Sequence, residues 1–409
     1  MFRKLILRTV LAVAGVQGLL VAALLVLDSL RKRRKKPDGG FPWRKHQDVQ
    51  LESSEDSLRL YTHGDVLYAA MLDEIERAQH SIYVEMYIWK SDEVGRRFVA
   101  ALERKASEGV EVYVIFDWFA NLVVPSWFKR FPEPIHTLIF HPVSSPVGLL
   151  DPRNLARDHR KFVVVDGRIG YVGGFNIGSL YTRKWRDTQV RIEGPGVSEM
   201  TNAFIDIWNT NRTPDLPEIA PQQGRNWNPT VQLHRNDPYL RIFPIRGVYL
   251  ESIDRAEKRV YMTHAYFIPD RAFRAALKNA VQRGVDVQVL LPWNSNHVVA
   301  DWLARRFFSE LMRAGVRILS YQDIMIHSKT ATIDGVWSTV GTANMDRLSL
   351  LGNYEVNLEV YSERFAREME SMFELDKTNS IELTLKEWEQ RPAIARLVER
   401  TLQLLGPLV

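Results

Sequence analysis

The chain has 409 residues, 45% of them apolar, and no cysteine. That length supports one large or two medium domains with full cores, and the lack of cysteine excludes disulfides, thiolate nucleophiles and cysteine metal sites. The formal net charge is +5, but nine Lys or Arg against one acid put +8 in residues 1–36 and leave residues 37–409 at −3, so the body lacks the basic excess typical of nonspecific nucleic-acid binding.

In chain order, Thr9–Leu27 is nineteen residues without a charge. As a helix it spans about 28 Å at 1.5 Å per residue, close to the hydrocarbon thickness of a bilayer. The basic run Arg31–Lys36 follows, and no small-residue cleavage site is evident. Residues 5–30 are therefore predicted as a single-pass transmembrane anchor rather than a signal peptide. The flank 31–36 holds the body on the cytoplasmic side of the cell (inner) membrane, and it also suits anionic headgroups. Residues 37–54 are expected to be a linker.

Residues 55–212 read as a first domain. It opens with a helix pattern over Val66–Ala78, a strand over Ser81–Trp89, a helix over Gly95–Ser107 and a strand over Gly109–Phe116. The aromatic stretch Trp118–Phe131 follows a strand, where loops line α/β sites. It is expected as a buried helix or cap between halves, with contact to acyl chains as the alternative. Residues 213–235 are rich in Pro, Gln and Asn, an inter-domain linker.

Residues 236–376 repeat the order, with a helix over Val248–Ala256, a strand over Arg259–Phe267, a helix over Arg271–Gln282 and a strand over Gly284–Leu291. Ile75-Glu-Arg-Ala78 corresponds to Ile253-Asp-Arg-Ala256, and Gly109-Val-Glu-Val to Gly284-Val-Asp-Val. Apolar strands alternating with helices predict an α/β fold made of a duplicated domain. Residues 377–409 are expected as a C-terminal amphipathic helix packed on the body.

One pattern occurs in both halves. His159-Arg-Lys161-Phe-Val-Val-Val-Asp166-Gly returns 168 positions later as His327-Ser-Lys329-Thr-Ala-Thr-Ile-Asp334-Gly. At the same offset Gly173 matches Gly341, Asn176 matches Asn344, and Asp187 matches Glu355. Each copy lies on a strand ending in an Asp-Gly turn. Residues two apart on a strand share a face, so His159 and Lys161 point together, as do His327 and Lys329. Asp166 and Asp334 have the opposite parity and are expected to brace the turns.

A pseudo-twofold pairing of the halves would gather two His and two Lys in one pocket. That set suits a phosphodiester. Lysines stabilise the phosphoryl oxygens, one neutral imidazole attacks phosphorus, and the other, protonated, gives its proton to the leaving oxygen. Imidazole titrates near neutrality, so both forms are accessible. Asn176 and Asn344 are candidate amide donors. Asp187 and Glu355 are candidate acceptors for an imidazole Nδ1, fixing its tautomer. No metal and no cofactor are expected, since no carboxylate–histidine cluster has metal-ligand spacing.

These residues resemble the phospholipase D superfamily over roughly residues 55–375. The resemblance is carried by the doubled motif with Gly173-Gly174-Phe-Asn176 and Gly341-Thr-Ala-Asn344-Met-Asp346. Within it, Glu85-Met-Tyr-Ile-Trp89, Trp185-Arg-Asp187 and Asn353-Tyr-Glu355 are most similar to bacterial cardiolipin synthases. The resemblance implies two phospholipase D-like α/β domains about a pseudo-twofold axis. It also implies a covalent phosphohistidine, with His159 as nucleophile and His327 as acid and then base. The implied reaction condenses two phosphatidylglycerols to cardiolipin plus glycerol. The alternative is a phosphodiester hydrolase of the same fold or a phosphatidyl transferase to another alcohol. A nuclease is disfavoured by the −3 body, so no nucleic-acid partner is expected, and an inactive adaptor is disfavoured by two intact motifs.

Overall fold

The protein is described by a computed structural model covering residues 41–141, 156–221 and 230–401, with residues 22, 26, 28 and 29. The expected anchor and its basic flank lie almost wholly outside these residues, as do 222–229 of the inter-domain linker and 402–409. Among the described residues no helix is long and apolar enough to cross a membrane.

The strands of the first half are β1 (Asp48–Gln50), β2 (Ser57–Tyr61), β3 (Ser81–Met86), β4 (Glu111–Asp117), β5 (His136–Phe140), β6 (Lys161–Val165), β7 (Ile169–Gly173), the two-residue β8 (Trp185–Arg186) and β9 (Gln189–Glu193). Those of the second are β10 (Val231–Asn236), β11 (Arg259–His264), β12 (Asp286–Pro292), β13 (Arg317–Tyr321), β14 (Met325–Ile326), β15 (Lys329–Ile333), β16 (Trp337–Gly341), β17 (Glu355–Tyr361) and β18 (Ser380–Glu382). Among the described residues sixteen of them form two eight-stranded sheets, ordered β1-β2-β9-β7-β6-β3-β4-β5 and β10-β17-β16-β15-β11-β12-β13-β18, and β8 and β14 pair separately with each other. Strip the edge strands β1 and β18 and the two orders coincide. The fold is α/β and internally duplicated.

The duplication reaches the caps. The helix Glu93–Ser107 starts on Asp92, whose carboxylate accepts the Gly95 N–H, and Arg271–Gln282 starts on Asp270, which accepts from Phe273. Each satisfies an otherwise orphaned helix donor. Both helices run out at a glycine, Gly109 and Gly284, each with φ 92°, a left-handed conformation that costs glycine least.

Each sheet is apolar on both faces. Ile82, Val84 and Val163 face the helices Gly64–Arg77 and Glu93–Ser107. Tyr83, Phe162 and Val164 face a shared central core that takes Phe204 and Trp208 from Val197–Asn211, and Phe365 and Met369 from Glu363–Thr378. Val340, Val356 and Leu358 of the second sheet join that core, so the halves are fused through apolar packing.

Four expectations need correction. The inter-domain linker expected over 213–235 ends inside β10, which pairs with β17 and sends Val231 and Leu233 into the central core, so the second domain begins before residue 236. The stretch 37–54 is more than a linker in its described part. β1 pairs antiparallel with β2, Val49 and Leu51 enter the central core, and Arg44 forms an ion pair with Glu368. The C-terminal segment is not one helix. β18 pairs with β13, then helices Leu385–Glu389 and Ala393–Thr401 are separated around Pro392, which has no N–H to give. Ala395 and Val398 are buried while Ile394 and Leu397 are exposed, so of the apolar residues Ile394, Leu397 and Val398 that suggest an amphipathic stripe only Val398 faces inward. The Trp118–Phe131 stretch contains no helix. Val124 and Phe128 are buried, whereas Trp118, Phe119, Leu122, Val123 and Trp127 remain exposed.

Candidate active site

Lys161 pairs across the sheet with Met86, at the C-terminal end of β3, and Lys329 pairs with His264, at the end of β11. The parallel strands β3–β4 and β11–β12 therefore direct their following loops to the end where each motif begins, the usual crevice of an open α/β sheet.

The halves meet there by two reciprocal bridges. β14 lies parallel to β8, and Asp158 bridges in parallel to Tyr354. The His327 N–H donates to the Arg186 carbonyl at 2.7 Å, and the His159 N–H to the Tyr354 carbonyl at 3.0 Å. Each acceptor immediately precedes a carboxylate, so each imidazole finds the acid of the opposite half. His159 Nδ1 lies 2.9 Å from Glu355, and His327 Nδ1 lies 2.6 Å from Asp187. Sequence matching named both acids without saying which served which histidine. The pairing crosses between halves.

With Nδ1–H donated to a carboxylate, Nε2 is the nitrogen left for chemistry in both rings. Lys329 Nζ also lies 2.9 Å from His327 Nδ1. That nitrogen cannot donate to Asp187 and accept from Lys329 together, and the shorter carboxylate contact fixes the tautomer.

Burial sets the electrostatics. It pushes His159 well below the usual imidazole range, with Lys161 and Lys329 pushing the same way. It pushes His327 down to about 3, with Lys329 adding to the fall and Asp187 opposing it. The ammonium groups are lowered too, Lys161 to about 7 and Lys329 to about 8, chiefly by desolvation, with Glu355 and Asp187 respectively pulling back. Glu355 is driven up to about 7 by burial, against the pull of Lys161 and the Thr342 hydroxyl. A phosphodiester anion bound beside them would favour the protonated lysines and an imidazolium, reversing these shifts. Lys161 Nζ donates to the His159 carbonyl at 2.6 Å, and Lys329 Nζ to that of His327.

Three of the remaining predicted residues, Asn176, Asp166 and Asp334, hold the frame. Asn176 Oδ1 accepts the Ile88 N–H at 3.0 Å, and its carbonyl takes the Tyr68 hydroxyl. Asn344 is buried, and its Oδ1 has no donor among the described residues. Asp166 sits away from the pocket at φ 52°, its carboxylate accepting from the N–H groups of Gln79, His80 and Ser81. Asp334, at φ 55°, does the same for Glu257, Lys258 and Arg259. Both secure the entry of the strand next to the motif.

Several residues near the site were missed from sequence. Tyr87 packs its ring 4.5 Å from His159, while Trp185 and Tyr266 lie 4.8 and 6.2 Å from His327. Beneath His159 lies a buried ionic cluster. Arg160 Nε lies 2.6 Å from Glu85 and 3.3 Å from Asp158, and Asp117 accepts the Asp158 N–H. Glu85, a carboxylate inside the apolar run Ile-Tyr-Val-Glu-Met, was the available signal.

Comparison with known proteins gives a consistent result. A family described as "Cardiolipin synthase, PLD-like domain" matches residues 71–208 and 249–377. Cardiolipin synthase 2 of Staphylococcus epidermidis is 34% identical over 376 residues, covering 89% of this chain and 77% of that protein. Cardiolipin synthase of Listeria welshimeri is 33% identical over 372 residues, covering 88% and 77%. Among solved structures, phosphatidylserine synthase of Haemophilus influenzae superposes with a TM-score of 0.66 over 89% of this chain and 95% of that one. At 14% identity the likeness is one of fold.

Proposed function

This chain belongs to the cardiolipin synthase family with PLD-like domains, and from that membership we propose how its site acts as a phosphatidyl transferase making cardiolipin from two phosphatidylglycerols. His159 Nε2 attacks the phosphorus of the first lipid and the P–O bond to glycerol breaks. His327 gives its proton to the departing oxygen. A hydroxyl of the second lipid then loses its proton to His327 and attacks the phosphohistidine. Cardiolipin leaves and His159 is regenerated. Lys161 and Lys329 stabilise the phosphoryl oxygens throughout.

The observation that supports this reading is the crossed pair of histidine–carboxylate contacts, beside which Lys161 and Lys329 are buried. The assignment of nucleophile to His159 rests on the family resemblance. The membrane is the partner this reading requires, since both substrates are bilayer lipids. Residues 5–30 would tether the body to the cytoplasmic face of the membrane as a single-pass anchor.

Phosphatidylglycerol vesicles test it. Purified protein is expected to yield cardiolipin and free glycerol without added metal. Phosphatidic acid as the sole product would overturn the transferase reading in favour of hydrolysis.

A further inference from the structure

Two loops flank the pocket, and their chemistry is opposite. Strand register aligns Glu111 with Ser81 and Asp286 with Arg259, which matches the loop after β4 to the loop after β12. Phe119 then corresponds to Asn294, Asn121 to Asn296, and Leu122 to His297.

The first loop is an apolar rim beside His159. Phe119, Leu122 and Val123 are 48%, 49% and 81% exposed. Arg157, two residues before His159, lays its guanidinium 4.0 Å over the Phe119 ring. The second loop is a polar rim beside His327. The Tyr266 ring lies 5.2 Å from that of His297 and 6.2 Å from that of His327, and its hydroxyl donates to Asn296 Oδ1 at 2.7 Å. Asn294 Oδ1 is buried with no donor among the described residues.

The departing and accepting alcohols must reach the proton-transferring imidazole, and the diacylglyceryl body must lie elsewhere. We propose that Tyr266, Asn296 and His297 form a polyol subsite for the headgroup glycerol, while the Phe119–Val123 rim carries the acyl part of the lipid. An amide, a phenol and an imidazole offer both donors and acceptors, which matches a vicinal diol. Exposed apolar side chains next to a lipid-cleaving site match hydrocarbon. This inference rests on the reading of His327 as the acid and base of phosphatidyl transfer. The same subsite serves the leaving glycerol and the acceptor, because the second step reverses the geometry of the first.

Exchange of labelled free glycerol into phosphatidylglycerol vesicles reads the subsite directly. Asn296→Leu and His297→Leu are each expected to raise the KM for glycerol about tenfold, the effect of one lost polar contact, with kcat falling less. His297→Gln should recover much of the loss. Phe119→Ser should instead raise the vesicle concentration needed for half-maximal rate. A fall in kcat at fixed glycerol KM in the leucine variants, or a glycerol KM equally raised by Phe119→Ser, would overturn the subsite. Wild-type protein that neither exchanges glycerol nor makes cardiolipin would instead overturn the transferase reading on which it rests.

Discussion

The two halves share a strand skeleton down to their helix caps, yet they support their histidines differently. Beneath His159 lie Glu85, Asp117, Asp158 and Arg160, all buried. The matching positions beneath His327 are Thr263, Pro292, Ile326 and Ser328. The second half has its own buried arginine, borrowed from the first. Arg186 donates to Asp376 at 2.6 Å and to Ser328 at 3.0 Å. Its counterpart Tyr354 stands 5.8 Å from the Arg160 guanidinium. Each interface thus has a buried arginine, Arg160 from just before a motif strand in one and Arg186 from the strand that precedes the carboxylate in the other. What the proposed chemistry would need twice, an imidazole with a carboxylate and a lysine, is kept twofold. What only supports it has diverged, so the two histidines sit in distinct surroundings and can hold distinct roles.

The strongest way to break this comparison is to remove one histidine at a time. His159→Ala is expected to abolish the acid-labile phosphoenzyme and cardiolipin formation together. His327→Ala should cost about 10²–10⁴-fold in rate, the usual worth of acid–base catalysis, and still form phosphoenzyme from a phosphodiester with a good leaving group. Trapped adduct in the first variant and none in the second would exchange the roles.

The supporting layer is tested next. Arg160→Met leaves Glu85 and Asp158 buried without their cation, expected to cost about 3–5 kcal/mol in urea unfolding. Ser328→Ala, at the matching position, should cost about 1 kcal/mol. Equal losses would mean the halves are supported alike.

Asp166→Asn and Asp334→Asn sharpen the symmetric side. Each should lower stability by about 1–2 kcal/mol, and by similar amounts, because each aspartate holds three backbone N–H groups. The folded fraction should keep its turnover. A well-folded but inactive variant would place that aspartate in the chemistry.

A pH slope tests the crossed pairing itself. Glu355 is raised from 4.5 to about 7, so the folded state holds its proton more tightly than the unfolded state does. Its contribution to stability is full below about pH 4.5 and is lost as pH rises through about 7. The Tm of Glu355→Gln relative to wild type should therefore climb by a few degrees over that window. A flat difference would mean that Glu355 ionises freely in the fold.

The doubled motif, the strand–helix order and the bracing aspartates were legible because each is a local pattern of period, turn or offset. The crossed pairing was not. His159 and Glu355 are far apart in sequence, and only the β8–β14 and Asp158–Tyr354 bridges decide that the acid comes from the other half. Arg160 and Glu85 escaped for a similar reason. Each looks like an ordinary strand charge until the sheet register sets them side by side. The C-terminal break was readable in principle from Pro392, whose missing N–H outweighs an apolar stripe that reads as continuous.

The crossing has a consequence for how this protein is made. Synthesis delivers the first half before the second. That unit carries His159 and Asp187, but the partner of each is still to be translated. Its imidazole has no acid to set the tautomer and no second imidazole to hand over a proton. On the proposed mechanism a nascent or truncated chain therefore lacks a complete site. On that reading, turnover reports that both halves have folded and docked.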